Sequence, residues 1–150
     1  MGLGTTVFEG LMDPVSVLRS RLLPVLERWA EELALAHPEM QVKASDWTVG
    51  TLTDWKGHDF GIACLLPGRP LDESDNVALS VALKHLDRAP LIHSADVVWG
   101  HPSGHCEAEL YAEPVEFSDA QVEMLMARLP GLLTALKLAL DRGHPPPHLP

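Results

Sequence analysis

The spacing of apolar residues predicts a long helix near the start of the chain. From Val15 to Leu33 apolar side chains recur at steps of three and four residues, and most charged residues fall between them. Asp13 followed by Pro14 is a typical helix start, because Asp accepts backbone N–H groups and Pro suits the first helical position. His37-Pro38 predicts the end of this helix.

A second long helix is predicted near the other end of the chain. Ser118 and Gln121 form a capping box in front of a strongly apolar stripe, and Gly143 is a typical C-terminal stop. Pro24 lies inside the first helix and Pro130-Gly131 inside the second. These residues predict a kink in each helix, or a split of the first helix into two pieces.

Between the helices, short apolar stretches are broken by Gly, Pro, Asp and Asn, which predicts five strands joined by tight turns. Their approximate bounds are 42–49, 58–66, 77–86, 91–99 and 105–112. The third stretch also fits a helix from Ser74 to Leu86, but the alternation of apolar residues from Val77 to Leu83 favours a strand. The predicted fold is α+β, an antiparallel meander with both helices on one face. The other face would then meet water or a partner.

The length of the chain indicates the number of domains, and its charge limits the classes of partner that it could bind. The 150 residues predict a single domain, 1–150, with loose ends at 1–12 and 144–150. A net charge of −10 with scattered basic residues argues against nucleic acid as a partner and fits a basic protein surface or a cation.

We expect a cytoplasmic protein without a membrane segment, because no apolar stretch is long enough to span a bilayer and the first residues do not resemble a secretory signal. Cys64 and Cys106 lie in apolar stretches, which predicts two reduced core thiols.

Candidate chemistry is concentrated in a predicted hairpin whose turn is 101–104. If Gly100 faces His105, the apolar face of the hairpin carries Cys106. The outward pairs are then Val98 with Glu107, Asp96 with Glu109, and Ser94 with Tyr111. Directly opposed carboxylates repel and destabilise a sheet unless something offsets them.

Two interpretations of this acidic face stay open. In the first, Asp96, Glu107 and Glu109, with the histidines of the hairpin, bind a divalent metal or act as acid and base. The metal ligands would be Asp96, His101, His105 and Glu109. In the second, the face keeps the sheet soluble and discourages edge pairing.

A non-enzymatic binding or interaction module is the favoured function, because the chain contains no nucleophile elbow or phosphate-binding loop. Trp29 and Trp99 are assigned to the core, whereas Trp55 lies in a predicted exposed turn. The predicted contact residues are Trp55, Asp96, Glu107, Glu109 and Tyr111. We expect no cofactor, and either a partner with a basic surface or self-association as a homodimer. The alternatives are a small metal-binding protein or enzyme using the 96–109 hairpin, and a ligand pocket between kinked helices and the sheet.

Overall fold

The computed structural model describes residues 13–49, 57–65, 76–84, 90–100 and 105–143. In chain order the elements are α1 (Pro14–Ala36), β1 (Gln41–Val49), β2 (Gly57–Leu65), β3 (Asn76–Lys84), β4 (Leu91–Trp99), β5 (Cys106–Glu109), β6 (Val115–Glu116) and α2 (Asp119–Arg142). The predicted α+β class is confirmed, and the third stretch is a strand. Trp55, His101, the turn 101–104 and the two predicted loose ends lie outside the described residues.

Local capping explains where both helices begin and end. The Asp13 carboxylate accepts the Val15 N–H at 3.3 Å at the start of α1, and the Ser118 hydroxyl accepts the Gln121 N–H at 3.1 Å at the start of α2. The predicted capping box is only half formed, since the side-chain oxygen of Gln121 is buried without a hydrogen-bond partner. Gly143 ends α2 with a φ of 80°, a left-handed conformation that glycine adopts without steric cost.

Neither internal proline ends its helix. Pro24 and Pro130 both lie inside continuous helices, so the predicted split of α1 does not occur. Pro24 is on the exposed side, and buried Leu22 and Leu26 on either side of it anchor both halves of α1 in the same core. This packing outweighs the loss of one backbone hydrogen bond.

The sheet is an antiparallel meander in the order β1-β2-β3-β4-β5, and β6 pairs with β4 beyond the end of β5. The two-residue β6 was not predicted, because β5 is shorter than expected and the chain returns to the ladder only at Val115. Among the strands that the structure describes, β1 is therefore one edge of the sheet, and β5 with β6 form the other.

One face of the sheet is apolar and lies under both helices. Successive rows across the strands are Val42, Cys64, Val77 and Trp99, then Ala44, Ile62, Leu79 and Val97. Trp99 is 2% exposed, and Trp29 of α1 joins the same core, as predicted. An ion pair links Arg21 to Glu123 near the helix starts, and Nε2 of His37 lies 4.0 Å from the Asp141 carboxylate near their ends, so α1 and α2 run side by side in the same direction.

The second face of the sheet has no described helix on it, yet its centre is buried. Asp59, Ser80 and Val98 are all less than 9% exposed. The larger exposed side chains lie toward its two edges, with Trp47 on β1 and Cys106 and Glu109 on β5, and the small Ala63 on β2 is exposed as well. The edges, rather than the whole face, are therefore where this side of the sheet can meet a partner.

A glycine on this second face tests the register between β2 and β3. A Cβ atom at Gly61 would lie 2.4 Å from the carbonyl oxygen of Leu79, a backbone atom that cannot rotate away. We expect Gly61→Ala to lower the free energy of unfolding by about 1–3 kcal/mol in urea denaturation followed by circular dichroism.

Gly131→Ala is the matched control, because a Cβ there meets no atom within 4 Å on the exposed side of α2. This change should raise the free energy of unfolding by about 0.5–1 kcal/mol, since alanine is the better helix former. Equal stability of Gly61→Ala and wild type would contradict the close approach of the two strands.

Candidate functional site

The acidic pair predicted on the hairpin is present in the structure. Asp96 on β4 lies directly opposite Glu109 on β5, and Val97 lies opposite Ala108. Asp96 is on the face turned away from the helices, because its neighbours Ala95 and Val97 belong to the helix-covered core. Glu109 is exposed and Asp96 partly exposed, so the pair is accessible at this edge of the sheet.

Beyond Val97 the pairing of β4 with β5 differs from the predicted hairpin, because the register shifts between Val97 and Val98. Val98 pairs with Cys106 rather than with Glu107. Cys106 is therefore exposed on the second face, and the prediction that both cysteines are core residues is wrong for Cys106. Cys64 is a buried free thiol, as predicted. The cause is one extra residue in β5, which moves the side chains beyond it to opposite faces.

Glu107, the extra residue, connects β5 to the end of α2. Its carboxylate accepts a hydrogen bond from the Arg142 guanidinium, and Nε2 of His105 lies 3.6 Å from the same oxygen. The side chain of Glu107 is only 13% exposed. Glu107 thus anchors the last turn of α2 to the hairpin and does not lie across from Val98 on the outward face.

The outward face of the hairpin carries a negative field that acts on Cys106. Partial burial and then the charges of Asp96 and Glu109 raise the pKa of the Cys106 thiol. At Cys64 burial alone raises the pKa to about 12. Both thiols are therefore protonated at neutral pH, the opposite of what a cysteine nucleophile requires.

Tyr111 was also predicted to be a contact residue, but it is buried in the core. β5 ends at Glu109, and Tyr111 is 8% exposed in the core, with the Arg128 guanidinium of α2 6.0 Å from its ring centroid. The prediction that it faces outward across from Ser94 is wrong, because the chain leaves the strand before reaching it. Tyr111 is a packing residue under α2.

The described residues of the hairpin do not form the metal site that one interpretation of the sequence predicted. Among them, no three His, Cys, Asp or Glu side chains are grouped so that they could hold a metal ion. His101, one of the proposed ligands, lies outside these residues. His105 and Glu107 face each other, whereas Asp96 and Glu109 point to the second face.

A polar network that the sequence analysis missed lies at the β1 edge under α1. Nε2 of His58 on β2 is 2.6 Å from Oδ2 of Asp46 on β1, and Nε of Arg19 on α1 donates to the same oxygen at 2.9 Å. Oγ1 of Thr48 lies 3.5 Å from Nδ1 of His58. One signal could have revealed it, since alternation along β1 places Asp46 on the same face as Val42 and Ala44.

The network stabilises the fold because each charge in it has a partner. Burial would raise the pKa of Asp46, but the hydrogen bonds from His58 and Arg19 and then the charge of Arg19 outweigh it and hold that pKa below its usual value. An ionised Asp46 can only accept, so Nε2 of His58 donates in this hydrogen bond. Asp, His and hydroxyl in this order can activate a nucleophile, but here Arg19 neutralises the carboxylate that would support the histidine.

Asp46→Asn tests the network through pH. A folded-state pKa below the unfolded value means that the ionised carboxylate stabilises the fold above about pH 4, and that this contribution disappears as the pH falls through the folded-state pKa. We expect Asp46→Asn to lower the free energy of unfolding by about 1–3 kcal/mol at pH 7. The difference from wild type should shrink between pH 5 and pH 2, measured by urea denaturation at several pH values.

Asp141→Asn is the control, because the Asp141 side chain is 72% exposed and its carboxylate lies 4.0 Å from Nε2 of His37, beyond hydrogen-bond distance. It should change stability by less than about 0.5 kcal/mol. If both variants lose the same stability at pH 7, the Asp46 network does not stabilise the fold.

Comparison with protein-family models, curated proteins and solved structures finds no match for this chain. Neither described helix is long and apolar enough to cross a membrane.

Proposed function

We propose that this protein is a non-enzymatic protein-binding module whose partner presents a basic surface. The observation that carries the proposal is the direct opposition of Asp96 and Glu109 at an accessible edge of the sheet. A cationic group of a partner placed beside these two carboxylates would be attracted by both of them at once.

The wider charge distribution supports this site. The formal net charge of −10 attracts a basic partner over distances of about a Debye length. Burial first, and then the charges of Asp96 and Glu109, raise the pKa of the neighbouring Cys106 thiol. Attraction by the whole chain would bring the partner close, and the opposed pair would orient it.

The proposed setting is the cytoplasm. Cys64 lies on the helix-covered face and Cys106 on the second face, so they do not form a disulfide with each other. Two protonated free thiols suit a reducing compartment.

The test compares two double variants that change the net charge equally, from −10 to −8. Asp96→Asn/Glu109→Gln removes the opposed pair, and Glu31→Gln/Glu32→Gln removes two exposed charges from α1. The probe is a lysine-rich peptide, and its dissociation constant is measured by fluorescence anisotropy at two salt concentrations. We expect the hairpin variant to weaken binding about tenfold and the α1 variant less than about threefold, because only the first removes a local site.

A further readout makes the result decisive. Zero-length carbodiimide coupling should link the peptide's lysines to Asp96 or Glu109 in preference to the α1 carboxylates. Equal loss of peptide binding in both variants would mean that only the total charge matters, and would contradict a binding site at this edge.

A further inference from the structure

The opposite edge of the sheet carries a separate inference, which concerns β1 and does not depend on the proposed function. Among the described strands, none pairs with the outer side of β1. This strand is nine residues long, and Trp47 near its end is 37% exposed. A long strand at the edge of a sheet is a template for pairing with another strand.

The residues whose backbone faces outward can be identified from the hydrogen bonds of the sheet. The Leu110 N–H donates to the Ala95 carbonyl, so odd-numbered residues in this half of β4 face β5 and even-numbered residues face β3. Following the register across β3 and β2, odd-numbered residues of β1 bond to β2. The outward N–H and C=O groups of β1 therefore belong to Val42, Ala44, Asp46 and Thr48.

We propose that this edge pairs with the same edge of a second copy of the chain, antiparallel and around a two-fold axis at Ser45. An axis perpendicular to the sheet sets residues of the same face opposite each other, so even positions pair with even and odd with odd. Centring on Ser45 is the register that uses all nine residues, Gln41–Val49. Ala44 then exchanges two backbone hydrogen bonds with the partner's Asp46, and Val42 with the partner's Thr48.

Side-chain chemistry favours this register. On the second face of the sheet, Lys43 of each chain lies opposite the partner's Trp47, so the two-fold axis creates two such pairs. Positions of this kind are the closely spaced pairs of an antiparallel ladder, where an ammonium group can rest on an indole ring. Centring the axis on Lys43 would instead oppose two like charges. The strand is thus complementary to itself in its full-length register.

α1 allows the two subunits to approach. Arg19 reaches Asp46 on β1 from one flank of the helix, and Arg21 reaches Glu123 on α2 from the other. Helical spacing places Leu23, Ala30 and Ala34 along the Arg19 flank. In the dimer both α1 helices lie on the same side of the joined sheet, and their facing flanks would carry Leu23 and Ala34 together with the exposed, oppositely charged Arg19 and Glu27.

The dimer would display two copies of the acidic β4 and β5 edge, one at each end of a continuous sheet. A partner with repeated basic groups could then bind both at once, with an affinity greater than that of one site. Self-association through β1 and basic-partner binding through β5 therefore use different edges of each chain.

Native mass spectrometry and analytical ultracentrifugation give the first test. We expect a species of 32.8 kDa, twice the chain mass of 16.4 kDa. Ala44→Pro should yield a folded monomer, since proline removes an outward N–H but no bond to β2. Its circular dichroism spectrum should match that of wild type. A monomeric wild type at micromolar concentration, or a dimer that survives Ala44→Pro, would overturn the proposal.

A charge exchange tests the register itself. Trp47→Lys would oppose two ammonium groups at each symmetric pair and should raise the dimer dissociation constant about tenfold or more. Adding Lys43→Glu to that variant should restore the dimer through two cross-subunit ion pairs. Lys137→Glu, on the exposed side of α2, is the control and should leave the dimer unchanged. Lack of rescue in the double variant, with normal folding, would overturn the Ser45-centred register.

Salt separates this proposal from the proposed function. Two chains of net charge −10 repel, so added salt should strengthen the dimer, whereas it should weaken binding of the lysine-rich peptide. If the protein is a dimer but the hairpin and α1 variants bind the peptide equally well, the β1 interface stands and the acidic site is excluded. If the protein is a monomer and only the hairpin variant binds the peptide more weakly, the acidic site stands and the β1 interface is excluded.

Discussion

Burial of a single sheet face under two parallel helices is the constraint on which the rest of this structure depends. Five strands in meander order present aligned rows of apolar side chains, and α1 and α2 cover those rows from the same side. Because a meander connects neighbouring strands directly, no helix is needed between the strands, and the two helices precede and follow them in the sequence. This arrangement leaves both sheet edges and the second face without a described helix.

The same constraint explains why one extra residue in β5 matters. Alternation in a strand is strict, so a bulge turns the side chains beyond it to the opposite faces. Cys106 is turned outward beside Asp96 and Glu109, and Glu107 is turned toward Arg142 at the end of α2. The bulge thus separates the acidic residues of the hairpin into an exposed pair and a structural anchor.

The two edges of the sheet are chemically different. At the β1 edge, Asp46 is directed into the protein, where His58 and Arg19 compensate its charge and bind α1 to the sheet. At the β5 edge, Asp96 and Glu109 face outward and oppose each other. We therefore propose backbone pairing as the interaction of β1, and attraction of a cationic partner as the interaction of the hairpin.

Local patterns in the sequence determined the helix bounds, the five long or medium strands and the Asp96 and Glu109 pairing. The reason is that capping residues, helical spacing and two-residue alternation act over a few positions and are readable along the chain. The Asp46, His58 and Arg19 network could not be read in this way, because its members come from three elements and meet only when α1 docks on β1 and β2. The bulge at Glu107, the burial of Tyr111 and the continuity of α1 through Pro24 were also decided by tertiary packing, where the energy of filling one core outweighs local preferences.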